Sequence, residues 1–189
     1  MKIELAKNEV IHFIGIGGIG MSGLSLIMKG KEFNVQGSDI ALNKNIERLK
    51  KEKIKIFIGH KKSHIRNATI VVISSAIKKN NPELIEAKRK NLPIIKRGRM
   101  LAHIVSLMKN IVVVGSHGKT TTTSLVASIF QKTRLDPTII NGGVINSLKN
   151  SAKLGKSDYI KKKENLKKLN YLNNWINVNQ KILKNLNEY

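Results

Sequence analysis

"VIHFIGIGGIGMSGLSLIMKG", residues 10–30, is the stretch on which the fold turns. It opens as a near-continuously apolar, β-branched run, the pattern of a strand covered on both faces. It then breaks at Gly15, Gly17, Gly18 and Gly20 and continues as an apolar, helix-like segment. Gly15, Gly17 and Gly20 fit G-x-G-x-x-G between strand and helix, the context that gives a weak motif its weight. In such a loop the first glycine permits the turn, the second lets backbone approach a diphosphate, and the third lets helix and strand pack. Amides at the start of the helix then face negative charge. The next apolar run ends in "VQGSD", and its Asp39 stands about 20 residues beyond the loop, where an acid accepts a ribose hydroxyl. The loop reads as a dinucleotide or nucleotide-sugar site. The alternative is a glycine-rich turn that serves only close packing.

Outward from this unit the chain alternates. Residues 33–39, 54–60, 69–77, 92–97 and 111–116 read as further strands. Between them lie helix-like stretches over 20–31, 43–53, 81–91 and 99–110. Asn81 is placed to cap the third of these, Pro82 suits a first helical turn, and Glu83 and Glu86 lie near the positive end of its dipole. Such alternation predicts an α/β fold with a parallel sheet. Residues 1–108 form one Rossmann-like unit, and 109–159 begin a second: strand, loop, helix, strand. Leu125, Val126, Ile129 and Phe130 share a face of that later helix. Residues 160–189 turn Lys/Asn-rich and read as an amphipathic helix or a loose tail.

The second unit carries its own loop, "VVVGSHGKTTTTS" at 112–124. A phosphate loop needs backbone amides curled round oxygens, a lysine, and a hydroxyl for Mg²⁺. Gly115, Ser116, His117, Gly118, Lys119, Thr120 and Thr121 supply these. Lys119 would pair with the β- and γ-phosphates of ATP and Thr120 would hold the metal. The glycine expected before this run is replaced by Val113, a position that stays extended if the strand runs further. His117 either shapes the loop or faces substrate. Two phosphate sites in one chain suggest a transfer reaction, with one nucleotide as a substrate handle and the other as energy source.

Composition excludes several classes. No cysteine is present, so neither disulfides nor thiolate metal sites arise. The formal charge is +23, but the basic residues are scattered rather than striped, and three Tyr, four Phe and one Trp offer little for base stacking. No specific nucleic-acid partner is expected. The apolar run at 10–14 meets glycines too early for a signal peptide or membrane span, so no membrane partner and a cytoplasmic location are expected.

"HFIGIGGIGMSGLS", "VQGSD", "IFIGH", "VVISSAI", "NPEL", "IIKRGRML", "VVVGSHGKTTTTS" and "LDPTIINGG" occur in one order. Together, over roughly residues 8–159, they resemble the N-terminal part of the Mur ligase family, and "GSHGKT" with "GIGGIGMSG" points to its alanine-adding branch. Mur ligases generally carry a small apolar residue where Val113 stands. The resemblance implies ATP-dependent ligation of L-alanine to UDP-N-acetylmuramate through an acyl phosphate, in peptidoglycan precursor synthesis. It makes 109–159 part of the family's central ATP-binding domain. It implies that Gly15, Gly17, Gly18 and Gly20 cradle the UDP diphosphate, with Asp39, Ser74 and Ser75 near the nucleotide. Ser74, Ser75 and His60 also sit at strand ends, where α/β proteins bind ligands and where polar residues cap strands without any. Arg97 either reaches a phosphate or lines a helix start. The alternatives to a ligase are a non-catalytic UDP-sugar-binding fragment and an NAD-dependent oxidoreductase, which would leave the second loop unexplained.

The chain departs from the family at its end. "LGKSDYI" should lead into a strand closing on an acidic E-A-D-E-S-D cluster that helps hold metal. Here "KKKENLKKLNYLNN" follows instead. The expectation is a frameshift near Ile160 within a run of lysine codons, with a divergent tail as the competing account. The isolated chain is expected to bind a UDP-sugar weakly and to turn over little or nothing.

Overall fold

The computed structural model describes residues 5–6, 8–106, 110–131, 136–145 and 150–155. The expectation for residues 160–189 lies outside these.

Five parallel strands form the main sheet: β1 (Val10–Ile14), β2 (Asn34–Asp39), β3 (Lys55–Ile58), β4 (Ile70–Ile73) and β5 (Ile94–Lys96). Their order is β3-β2-β1-β4-β5. The chain thus winds outward from β1 in one direction, returns, and winds out in the other. The carboxyl ends of β1 and β4 flank the switch point at which open α/β sheets bind ligands.

The connections are α1 (Ile19–Gly30), α2 (Lys44–Lys51), a 3-10 turn (Lys62–Ile65), α3 (Pro82–Arg89) and α4 (Arg97–Ser106). They cover both faces. Ile11, Phe13, Val35 and Val72 meet Leu24, Ile27 and Met28 of α1, Leu49 of α2 and Met100 and Ile104 of α4. On the opposite face Ile14 and Val71 meet Ile65, Leu84 and Ala87. Strand side chains alternate between the faces, so both kinds of contact come from the same short runs.

Beyond α4 the chain forms α5 (Lys119–Gln131) and an antiparallel pair, β6 (Ile139–Ile145) with β7 (Asn150–Lys153). The pair lies on α1. Gly23 and Gly30 let it approach: a Cβ at Gly23 would sit 2.8 Å from Ala152 Cβ, and one at Gly30 would collide with Leu154. Arg48 Nη2 donates to the Ala152 carbonyl at 3.0 Å.

Two local expectations fail. Residues 111–114 form no strand and 115–116 lie in a bend, and Val112 and Val114 are 59% and 64% exposed. An apolar strand of this kind is made by its neighbours, and none pairs with it among the described residues. For the same reason α5 does not bury its expected face. Phe130 and Ala127 are buried, whereas Leu125 and Ile129 lie 62% and 55% exposed.

Candidate functional site

Two loops are the candidates, one between β1 and α1 and one that opens α5. In the first, Gly15 takes φ +77°, which a side chain would oppose. Its amide and that of Ile16 both donate to the Ser38 carbonyl, at 2.8 and 2.9 Å. The loop is therefore pinned to the end of β2.

Gly17 is held on both sides. Its amide donates to Asp39 Oδ2 at 2.7 Å, and its carbonyl accepts from Asn45 Nδ2 at 2.8 Å. A Cβ here would sit 2.6 Å from Asn43 Nδ2 and 3.0 Å from Asp39 Oδ2. The close approach at Gly17 is thus to the chain's own α2 and β2. The other Asp39 oxygen, Oδ1, accepts from the Ile40 amide at 2.8 Å. Each oxygen keeps a lone pair for a further donor such as a hydroxyl.

Gly18 caps α1 in extended conformation without a side chain. The amides of Gly20 and Met21 then open the helix with no carbonyl partner among the described residues. The exposed Arg97, first residue of α4, lays its guanidinium against Gly20, where a Cβ would collide with Nη1. Two unspent amides, the positive end of a helix and a guanidinium converge on one turn. That combination suits a diphosphate.

Of the residues at the other strand ends, Ser74 uses its hydroxyl locally, accepting from the Ala76 amide at 3.3 Å in a turn. Ser75 is exposed on the same turn.

The second loop turns at two glycines of positive φ, Gly115 at +151° and Gly118 at +75°. Lys119 begins α5 and folds back over the loop, donating from Nζ to the carbonyls of Gly115 at 2.5 Å and Ser116 at 2.7 Å. The loop is thereby curled round the lysine's charge. Thr120 and Thr121 follow in the first turn, exposed. The hydroxyl of Ser116 lies 3.3 Å from His117 Nδ1. A curled loop, an ammonium at its mouth and adjoining threonine hydroxyls form a donor set that fits a polyphosphate with Mg²⁺.

The sequence reading missed a third feature. Glu83 is fully buried in the first turn of α3 and sits among three histidines. Its Oε1 accepts from His64 Nδ1 at 2.8 Å. Its Oε2 accepts from Ser38 Oγ at 2.5 Å and from His60 Nδ1 at 2.9 Å. His12 Nε2 stands 3.7 Å from Oε1. Burial pushes the Glu83 carboxyl up, but His12, the Ser38 hydroxyl and His60 outweigh it, and the group is lowered to about 2. It is therefore ionised and can only accept. A signal was present in the sequence. His12, Gln36 and Ser38 are polar residues in strands otherwise built for burial, and His12 and Gln36 are register partners. Polar side chains in such strands need partners, and here they find one another.

Residues 10–109 match the Mur ligase family, catalytic domain. The chain is 79% identical over 159 residues to the UDP-N-acetylmuramate–L-alanine ligase of Pelagibacter ubique, covering 84% of this chain and 34% of that protein. Among solved structures, the UDP-N-acetylmuramate–alanine ligase of Thermotoga maritima superposes with a TM-score of 0.70 at 33% identity, over 78% of this chain and 35% of that one. The UDP-N-acetylmuramate:L-alanyl-γ-D-glutamyl-meso-diaminopimelate ligase of Neisseria meningitides gives 0.71 at 29%, over 82% and 50%. The chain spans about a third of the length of the curated relatives it matches. Among the described residues no helix is long and apolar enough to cross a membrane.

Proposed function

The chain belongs to the Mur ligase family, and from that premise we propose that it contributes the nucleotide-binding part of an enzyme that joins L-alanine to UDP-N-acetylmuramate at the expense of ATP. The observation that carries the reading is the 79% identity to an alanine-adding ligase over 159 residues, 84% of the chain. The geometry of the first loop is consistent with it. In this reading residues 1–108 hold the UDP-sugar and 109–159 hold ATP. The Gly20 and Met21 amides and Arg97 meet the diphosphate, at the bend formed by Gly15, Gly17 and Gly18. Asp39 meets the ribose, and Ser74 and Ser75 lie at the neighbouring strand end.

A carboxylate is a poor electrophile until it carries a leaving group, which is why such a ligation consumes ATP. Lys119 would release the two loop carbonyls and neutralise phosphate charge, as preorganised cations do in phosphoryl transfer. Thr120 would hold Mg²⁺, with Thr121 beside it. The metal, when bound, supplies further charge neutralisation. Gly115, Ser116, His117 and Gly118 would wrap the phosphate oxygens.

The residues after Tyr159 carry no acidic cluster that could add ligands to the metal. Binding of UDP-N-acetylmuramate is therefore expected from these 189 residues, with little turnover. Both are measurable on the same preparation, by calorimetry and by alanine-dependent ADP release. Failure to bind the UDP-sugar overturns the reading. Brisk alanine-dependent release overturns only the expectation of low turnover.

A further inference from the structure

The Glu83 cluster lies beside the first loop and takes no part in the reading so far. Its hydrogen bonds fix the proton on each nitrogen that faces it. An ionised carboxylate only accepts, so the Nδ1 atoms of His60 and His64 that face it must both carry hydrogen. His12 differs. Its Nδ1 meets Gln36 Nε2 at 3.1 Å, and the same Gln36 nitrogen donates to the His64 carbonyl at 3.0 Å. His12 Nδ1 is then the acceptor and its Nε2 carries the hydrogen toward Glu83.

His12 is wholly buried, and His64 stacks on Phe57 with ring centroids 4.5 Å apart. His60 and His64 both reach the surface, with 16% and 11% of their side chains exposed, but the His64 ring lies flat against Phe57 and the His60 ring does not. The two nitrogens of an imidazole point to different edges of the ring. With Nδ1 turned inward to Glu83 and Ser38, Nε2 turns away from the cluster, and it has no partner among the described residues. His60 follows Gly59, whose amide donates to the Asp39 carbonyl at 2.8 Å. Its ring therefore sits at the carboxyl edge of the sheet, one strand beyond the Asp39 carboxylate that holds the glycine loop.

We infer that Glu83 is a positioning residue, which holds the His60 imidazole as its Nδ1–H tautomer and presents Nε2 as a hydrogen-bond acceptor to the nucleoside half of the UDP-sugar. This rests on the proposed UDP-sugar reading. A buried carboxylate that orients an imidazole through one nitrogen leaves the other with a fixed role and direction. The nucleoside offers ribose hydroxyls and the imide N–H of uracil as donors. A ligand without a donor there leaves the acceptor unpaired, so the contact also discriminates.

The probe is UDP, titrated into the 189-residue chain. Long-range ¹⁵N–¹H correlation should show His60 as the Nδ1–H tautomer, with its Nε2 signal moving on addition of UDP. His60→Asn keeps a nitrogen near the Nδ1 position but removes the outer one. It should retain the fold and weaken UDP about tenfold, the loss of one well-made hydrogen bond. Glu83→Gln should shift His60 toward the other tautomer and weaken UDP similarly, while inorganic pyrophosphate, which lacks the nucleoside, binds both variants like the parent. If Glu83→Gln does not fold, His60→Asn and the parent's tautomer still decide. A parent that binds UDP with His60 as the Nε2–H tautomer, or His60→Asn binding UDP undiminished, overturns the inference alone. A parent that binds no UDP overturns the reading beneath it.

Discussion

Gly17 and Gly20 are glycines for reasons of space. At Gly17 an added methyl meets Asn43 and Asp39, and at Gly20 it meets the Arg97 guanidinium. Gly18 differs, because a Cβ there meets nothing closer than the Gly15 carbonyl at 3.4 Å. Gly20→Ala should therefore displace Arg97 and weaken UDP about tenfold, as expected for losing a charge-assisted contact. Gly18→Ala should change stability by less than about 0.5 kcal/mol. Paired calorimetric and thermal-melt measurements separate the two. In the second loop, Lys119→Ala should abolish detectable ATP binding and leave UDP binding untouched, since the two loops open different helices, α1 and α5. The motif spacing made both loops legible in the sequence. What each glycine approaches was not, because Asn43, Asn45 and Arg97 reach the loop only through the tertiary fold. The Glu83 cluster was legible only from its strand residues, for a related reason. Its carboxylate looks like an ordinary first-turn acid of α3 until β1, β2 and the 3-10 turn bring their histidines and serine to it.

At the scale of elements, local chemistry and burial agree for most of the sheet. Asn81 caps α3 as its sequence indicates, with Oδ1 accepting from the amides of Glu83 and Leu84 at 2.9 and 3.2 Å. Asn81→Ala should cost about 1 kcal/mol in chemical denaturation. It should also loosen the turn that delivers Glu83. That carboxyl carries a pH signature. It is lowered from 4.5 to about 2 on folding, so its contribution is complete above 4.5 and is lost as pH falls toward 2. Stability measured across that window should fall in the parent, and Glu83→Gln should flatten that part of the profile. The elements that departed from expectation are those without sheet neighbours. Residues 111–114 and the outer face of α5 have the apolar pattern of a buried unit, yet periodicity describes what a segment can cover and does not supply the partner. The parallel strands β1–β5 were legible because each has a neighbour within the same hundred residues.

At the scale of the whole molecule, the main sheet and the β6–β7 pair are joined through α1. Helix α1 therefore holds the first loop at its start and receives the later hairpin along its body. Gly23→Val should push Ala152 away and loosen the hairpin without unfolding the sheet. Hydrogen exchange should then rise in β6 and β7 while β1, β2 and β4 stay protected; equal loss of protection throughout would show that the two parts stand or fall together. The central claim is that the glycine loop at the switch point grips a UDP-sugar. Its most direct test is calorimetric titration of UDP-N-acetylmuramate into the chain, with NAD as the competitor. The expected result is saturable binding at one site, displaced by UDP and indifferent to NAD. No heat with UDP-N-acetylmuramate, or a site that NAD fills in its place, contradicts it.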